Sequence, residues 1–155
     1  MNGVTIRQAI ESDIDSLAEI VKKYRDFQGV VSQDIEEIKA FIRERIVKSE
    51  SCIFVAISNA TGAIIGFIQL YPVFSTVSLK RQWLLNDFFV AEEARNSGVG
   101  SALMEAVIEY FRGNAKGFIL ITEKTNAGAK RFYDRYGWKT DHFDFYTYFY
   151  NTSAN

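Results

Sequence analysis

The sequence has 155 residues, of which 48% are hydrophobic and 15% aromatic, and its 18 basic residues nearly balance 19 acidic ones. This composition excludes a disordered chain, and the net charge of −1 gives no global attraction to nucleic acid or to an anionic membrane surface. A single cysteine and a single histidine exclude an intramolecular disulfide and disfavour a metal site. With no signal peptide and no apolar run of membrane-spanning length, we expect one cytoplasmic domain over residues 1–155.

The first half of the chain is predicted to hold one strand, two helices and a pair of strands. Val4–Arg7 alternates like a strand, and apolar residues then recur twice at helical spacing. Two apolar runs, Cys52–Ser58 and Ala63–Leu70, flank a hairpin signal. The stretch Pro72–Lys80 is polar and serine-rich, so it is predicted to be a loop.

The second half alternates strands with helices. The predicted elements are the strand Trp83–Val90, the helix Gly98–Phe111, the strand Phe118–Thr122, the helix Asn126–Tyr136 ended by Gly137, and two closing strands, Trp138–Thr140 and Phe143–Tyr150. This order predicts an α/β (α+β) fold, a mixed central sheet with helices on both faces. The strand–helix–strand unit from Trp83 to Thr122 should contain parallel strands.

The most informative segment joins a strand to a helix through Arg95-Asn96-Ser97-Gly98-Val99-Gly100. Glycines at a helix start let the backbone approach a ligand, and the exposed N–H groups suit a phosphate. No Lys-Ser or Lys-Thr follows the glycines, so the segment is not a P-loop, and it lacks the GxGxxG spacing of a dinucleotide site. Taken alone, the two glycines are better explained by tight packing of helix on strand than by a ligand site.

Two motifs together give the sequence a family resemblance. Arg95–Gly100 resembles the Q/R-x-x-G-x-G/A signature of the GNAT (GCN5-related N-acetyltransferase) superfamily. Asn126–Trp138 is similar to that family's N-x-x-A-x-x-F-Y-x-x-x-G-F/W segment, and it follows at the expected place. The resemblance covers essentially the whole chain. It implies a single-domain GNAT fold in which two central parallel strands splay apart, here Leu84–Val90 and Phe118–Thr122.

The resemblance also implies that acetyl-CoA is the acyl donor and enters the wedge between those strands. The strand backbone should pair with the pantetheine arm, and N–H groups of the glycine turn should hold the pyrophosphate. The residues placed on the cofactor are Phe88, Phe89, Val90, Arg95, Asn96, Ser97, Gly98, Val99, Gly100, Ser101, Asn126 and Phe132.

The resemblance assigns catalytic roles to a few residues. Tyr133 matches the tyrosine beside the CoA sulfur, where it would act as general acid. The backbone N–H of Phe89 or Val90 would stabilise the oxyanion. Some relatives carry a glutamate base where this chain has Asn86, which cannot act as a base. Neighbouring Asp87 either deprotonates the amine, attracts its cation or makes a structural hydrogen bond. Adjacent strand residues face opposite ways, so only one of this pair is expected to face the site.

The acceptor is predicted to be a primary amine, either a polyamine-like small molecule or a lysine or peptide amine. It would attack the thioester directly within a ternary complex. Tyr24, Asp26 and Asn86 are its candidate binding residues, since aromatic faces and carboxylates attract ammonium groups. The aromatic C-terminal segment would line the same site or form a homodimer interface. The alternative function is a non-catalytic acyl-CoA-binding sensor or interaction module.

Overall fold

The computed structural model describes residues 3–150. The chain divides into two compact units, with the boundary between Ile121 and Thr122. The second unit holds one helix, α4 (Ala127–Arg135). The first unit holds β1 (Val4–Gln8), α1 (Ile14–Phe27), α2 (Ile35–Val47), β2 (Cys52–Ser58), β3 (Ile64–Ser75), β4 (Lys80–Val90), α3 (Val99–Tyr110) and β5 (Phe118–Leu120).

The first unit is built on one five-stranded sheet in the order β1-β2-β3-β4-β5. Strands β1 to β4 are antiparallel, and β4 pairs with β5 in parallel. The predicted mixed sheet and its parallel pair are therefore confirmed. Only Trp83–Leu85 of β4 pairs with β5, whereas β4 itself continues to Val90. The pairing between the two strands thus ends halfway along β4.

Helices cover both faces of this sheet. On one face, the Phe67 ring of β3 lies edge-on to Tyr24 of α1 at 5.7 Å between centroids. On the other, the neighbouring Gly66 packs so tightly against α3 that a Cβ there would lie 3.2 Å from a Leu103 methyl group. Apolar residues of α1 and α2, including Ile14, Leu17, Ile20, Ile38 and Ile42, form one core cluster with β2, β3 and the end of β4.

The prediction of a loop over Pro72–Lys80 is wrong. Strand β3 runs on to Ser75 and β4 begins at Lys80, so a tight hairpin replaces the loop. Proline is tolerated because β2 pairs with β3 only as far as Leu70. Beyond that residue β3 pairs with β4 alone, so the missing proline N–H breaks no ladder on the β2 side.

The prediction of two closing strands, Trp138–Thr140 and Phe143–Tyr150, is also wrong. Residues 138–150 contain no strand in the described part of the second unit, and the aromatic side chains from Phe143 to Tyr150 are largely exposed. The end of α4 follows the prediction. Gly137 has φ 80°, and Trp138 N–H donates to Tyr133 O at 3.1 Å. The predicted homodimer through the aromatic segment stays a prediction. Within residues 3–150, no helix has the length and apolar character needed to cross a membrane.

Candidate active site

An extra residue interrupts β4 near its centre. Gln69 pairs with Asp87, and the next residue of β3, Leu70, pairs with Leu85, so Asn86 between them forms a β-bulge. Residues directly opposite each other in an antiparallel pair share a face of the sheet. Gln69 and Leu70 face opposite sides, and therefore so do Asp87 and Leu85. The bulge reverses the face on which the odd-numbered residues of β4 lie.

Ring contacts agree with this reversal. Before the bulge, in the first half of β4 (residues 80–85), Trp83 packs on Phe111 at the end of α3 with centroids 4.6 Å apart. After it, in the second half (residues 87–90), Phe89 packs on Tyr24 of α1 at 5.5 Å. The second half therefore presents Asp87 and Phe89 to the α1 layer.

Asp87 accepts hydrogen bonds from two neighbouring amides. Gln69 Nε2 donates to Asp87 Oδ2 at 3.0 Å, and Asn86 Nδ2 donates to the same oxygen at 3.1 Å. Gln69 Oε1 accepts from Ser51 Oγ at 3.0 Å. The structural hydrogen bond considered for Asp87 is thus present, and the bulge brings together two side chains that regular alternation separates.

A tyrosine hydroxyl lies on the same face of β3 as Gln69. Tyr71 follows two residues later, and side chains two apart on a strand share a face. Burial, together with the negative charge of Asp87, raises the pKa of Tyr71 to about 12, and the positive charge of Arg45 opposes that rise. Arg45 forms an ion pair with Glu44 at 2.9 Å. At neutral pH this surface therefore carries a neutral phenol beside an ionisable carboxyl group.

The glycine turn enters α3 through left-handed backbone. Asn96 has φ 58° and Gly98, the N-cap of α3, has φ 86°. No side chain within residues 3–150 caps this helix, and its first turn contains no acidic residue. The first N–H groups of a helix, here Val99, Gly100 and Ser101, have no acceptor within the helix. The positive N-terminal end of α3 is therefore well suited to a phosphate.

Arg95 fastens the glycine turn to the end of β4. Its Nε donates to Val90 O at 2.9 Å, and its guanidinium lies over the rings of Phe27 and Phe89 at 5.3 and 5.4 Å. Ser97 is held in the same turn, where its hydroxyl donates to the carbonyl of Ala94. The turn is thus a defined structure that adjoins the second half of β4.

The direction of the backbone distinguishes the two candidates for the oxyanion donor. Ala91 N–H donates to Ile65 O of β3 at 2.9 Å. Because N–H directions alternate along an antiparallel strand, Phe89 N–H also faces β3, whereas Val90 N–H faces the other way. Phe88 shares the orientation of Val90. These N–H groups face the side of β4 on which pairing with β5 has ended.

Helix α4 carries the second motif in the second unit. Asn126 is its N-cap, where Oδ1 accepts from Ala129 N–H at 3.0 Å. The Tyr133 ring contacts Phe132 and Trp138, with centroids 5.7 and 5.6 Å away. Burial raises the pKa of Tyr133, so the phenol keeps its proton at neutral pH.

The predicted acceptor residues fall in different places within the first unit. Tyr24 lies against Phe89, and Asn86 forms the bulge, so both adjoin the second half of β4. Asp26 instead accepts a hydrogen bond from Gln33, in the segment between α1 and α2.

Three polar residues near Asp87 were missed from the sequence: Ser51, Gln69 and Tyr71. They belong to no motif and approach Asp87 only through strand pairing. One signal was available, since Gln69 is a polar residue inside the apolar run of β3. Its burial, 7% exposed, is unusual for a glutamine.

A pocket of about 480 Å³ lies at the edge where β2 and β4 begin. Neither Asn86 nor Asp87 is among its lining residues, although Ser51 is. Its lining residues include Gln8, Arg81, Trp83, Tyr110 and Asn114. It is separate from the glycine turn that follows β4.

Residues 15–138 match the model of the acetyltransferase (GNAT) family. An uncharacterized N-acetyltransferase of Bacillus subtilis is 41% identical over 139 residues, which cover 89% of this chain and 91% of that protein. A D-amino-acid N-acetyltransferase of Saccharomyces cerevisiae is 29% identical over 147 residues, covering 91% of this chain and 89% of that protein.

Solved structures give the same result for the fold. The crystal structure of a probable acetyltransferase matches with a TM-score of 0.89 at 36% identity, over 96% of this chain and 99% of that one. The mixed sheet with its parallel β4–β5 pair and the flanking helices is the fold of these proteins. The chain is an acyltransferase and belongs to the GNAT family of acetyltransferases.

Proposed function

We propose that this protein transfers an acetyl group from acetyl-CoA to a primary amine, either a polyamine-like small molecule or a lysine or peptide amine. The amine attacks directly within a ternary complex. The observation that carries the proposal is the second half of β4, which extends past its pairing with β5 and adjoins an uncapped helix start. A strand edge and a phosphate-binding turn in one place suit a long, pyrophosphate-bearing donor.

The residues present fit acetyl-CoA on three counts. Gly98 is left-handed at the N-cap, the first turn of α3 has no acidic residue to repel phosphate, and Arg95 fixes the turn to Val90. Phe88 and Val90 supply backbone groups for the pantetheine arm. When bound, acetyl-CoA supplies a thioester carbonyl for the amine to attack. Asn126 and Phe132 are proposed to contact the same molecule, on the strength of the family motif.

The acceptor amine is proposed to bind at Asp87. This carboxylate accepts from two neutral amides and from no cation among the described residues, so its negative charge remains to attract an ammonium group. Tyr71 adds a neutral hydroxyl on the same face, and Tyr24 adds an aromatic ring. Asn86 and Asp26 are proposed to shape the surrounding surface.

Three groups would handle charge and protons during transfer. Asp87 takes the proton that the amine must lose, either directly or through a water molecule. Val90 N–H stabilises the negative charge that develops on the carbonyl oxygen. Tyr133, which keeps its proton at neutral pH because burial raises its pKa, donates to the departing sulfur.

The first experiment is calorimetric titration with acetyl-CoA followed by an assay of thiol release. The panel contains spermidine, lysine peptides, aminoglycosides and, because of the yeast relative, D-amino acids. We expect micromolar binding, and turnover with spermidine or lysine peptides. Failure to bind acetyl-CoA contradicts the proposal. Turnover with D-amino acids alone replaces the proposed acceptor class and leaves the donor unchanged.

The matched variants are Tyr133→Phe and Tyr136→Phe, both on or next to α4. Loss of a general acid lowers kcat by about 10²- to 10⁴-fold in Tyr133→Phe, with little change in acetyl-CoA affinity. Tyr136→Phe removes a hydroxyl three residues away and should retain activity. Equal activity of the two variants would remove Tyr133 from the mechanism.

A further inference from the structure

Gln69 is the buried polar side chain of the first unit's described core, with 7% of its surface exposed. Burial of an amide costs free energy unless its hydrogen bonds are satisfied. A leucine or methionine of similar volume would fill this position in β3 without that cost. The bonds that Gln69 makes should therefore explain its presence.

Those bonds have a fixed direction. An ionised carboxylate only accepts, so the side of Gln69 that faces Asp87 must be its NH₂ group, which donates to Oδ2 at 3.0 Å. The Oε1 atom then faces Ser51, whose hydroxyl donates to it at 3.0 Å. Asp87 thus selects the amide orientation, and the Ser51 hydroxyl, which can donate or accept, satisfies and holds Oε1.

Both amide donors of Asp87 bond to the same oxygen. Gln69 and Asn86 each donate to Oδ2, at 3.0 and 3.1 Å. Among the described residues no bond to Oδ1 is seen, so that atom is the one left for an incoming donor. The carboxylate is therefore held through Oδ2 by both amides.

We propose that Gln69 is a positioning residue, which holds Asp87 through Oδ2 so that Oδ1 meets the acceptor amine, with Ser51 fixing the Gln69 amide. This inference rests on the proposed role of Asp87. A neutral amide suits the task because it orients the carboxylate without cancelling its charge, whereas lysine or arginine would neutralise it. The charge remains available for the amine.

The surroundings of Asp87 agree with an uncancelled charge. Burial and the negative charge of Asp87 together raise the pKa of the Tyr71 phenol to about 12. The positive charge that opposes this rise belongs to Arg45, which forms ion pairs with Glu44 at 2.9 Å and with Glu50 at 2.7 Å.

The test is a double-mutant cycle on kcat/KM for the amine, with Gln69→Met, Asp87→Asn and the double variant. Gln69→Met keeps the length and volume of the side chain and removes both hydrogen bonds. We expect it to lower kcat/KM by about 10- to 100-fold, the usual effect of losing a hydrogen bond to a charged group. Acetyl-CoA affinity, measured by calorimetry, should stay unchanged. In the Asp87→Asn background the same substitution should cost less than about threefold.

Equal losses in both backgrounds would overturn the inference, because Gln69 would then act independently of Asp87. An Asp87→Asn variant with full activity would instead contradict the proposed role of Asp87 itself. Ser51→Ala is the second variant if Gln69→Met does not fold. It removes only the donor to Gln69 Oε1, and a loss of about two- to fivefold that disappears with Asp87→Asn supports the inference. The absence of any loss in Ser51→Ala would oppose it.

Discussion

The two halves of β4 differ although they belong to one strand. The first half lies between β3 and β5 and turns Trp83 and Leu85 into the layer beneath α3. The second half pairs with β3, extends beyond β5, and turns Asp87 and Phe89 toward α1. Asn86 separates them. The first half has the surroundings of a core strand and the second has those of a binding edge.

This difference teaches how a rigid strand can carry chemistry. The first half is paired on both sides, with β3 and with β5, and this pairing holds the second half in position. Catalytic groups work best on elements that packing holds still. Substitutions in the first half should therefore change stability, and substitutions in the second should change activity.

The largest effect is expected in the second half, from Asp87→Asn. The amide can neither accept a proton from the amine nor attract its cation, so kcat/KM should fall by about 10²- to 10⁴-fold. The thermal unfolding midpoint should move little, because Asn can still accept from Gln69. Amine kinetics and a melting curve on the same sample measure both. A large loss of stability with unchanged kinetics would show that Asp87 has a structural role and that the second half of β4 does not carry the activity.

The matching substitution in the first half is Trp83→Ala, at a side chain 9% exposed. It should lower the free energy of unfolding by about 3–5 kcal/mol, while the folded enzyme keeps its activity. Trp83→Phe is the control. The indole N–H has no acceptor among the described residues, so Phe loses area but no hydrogen bond and should cost much less. Urea titration measures the three proteins.

Gly66→Ala tests how tightly the second half is held. A Cβ at Gly66, which pairs with Val90, would lie 3.2 Å from the Phe89 carbonyl oxygen and from a Leu103 methyl group. We expect a loss of about 1–3 kcal/mol in unfolding free energy together with weaker acetyl-CoA binding. Gly128→Ala is the control, because its nearest atom would be 3.8 Å away, an ordinary contact. Unchanged acetyl-CoA affinity in Gly66→Ala would show that the second half of β4 can shift to accommodate the methyl group without weakening acetyl-CoA binding.

The smallest effect is expected at Cys52, which lies in the same cross-strand row as Leu85. Burial raises the pKa of its thiol to about 11, above the value of about 8.5 in an unfolded chain. The thiol's contribution to stability is therefore complete below about pH 8.5 and is lost as the pH rises toward 11. The loss amounts to about 1 kcal/mol by pH 9. Cys52→Ala should show a correspondingly smaller fall in Tm between those pH values. An identical fall would indicate a thiol open to solvent.

Much of the fold was predictable because it depends on local patterns. The glycine turn, the amphipathic α3 and the Gly137 helix end are each specified by a few adjacent residues. The parallel pairing of β4 with β5 followed from the helix between them. The role of Tyr133 was predicted from motif register and that of Asp87 from its place beside Asn86, and both remain proposals.

What was missed depends on contacts between distant residues. Strand β3 can hold Pro72 because β2 ends its pairing with β3 at Leu70, which no local pattern records. The bulge at Asn86 and the hydrogen bonds from Gln69 arise from the register between two strands. A bulge shifts the alternation of faces by one residue, but β4 carries consecutive apolar residues on both sides of Asn86, so the sequence alone did not reveal the shift.

The bulge has a consequence for insertions and deletions. Removal of Asn86 would change no other side chain, yet it would remove the bulge, so side chains would alternate between the two faces without interruption along β4. Either Trp83 would leave its place beside Phe111, or Asp87 would enter the layer packed by α3. The second outcome would bury an unpaired carboxylate at a cost of about 3 kcal/mol or more. The presence of the single residue Asn86 therefore determines whether Asp87 lies on the face toward α1 or is buried in the layer packed by α3.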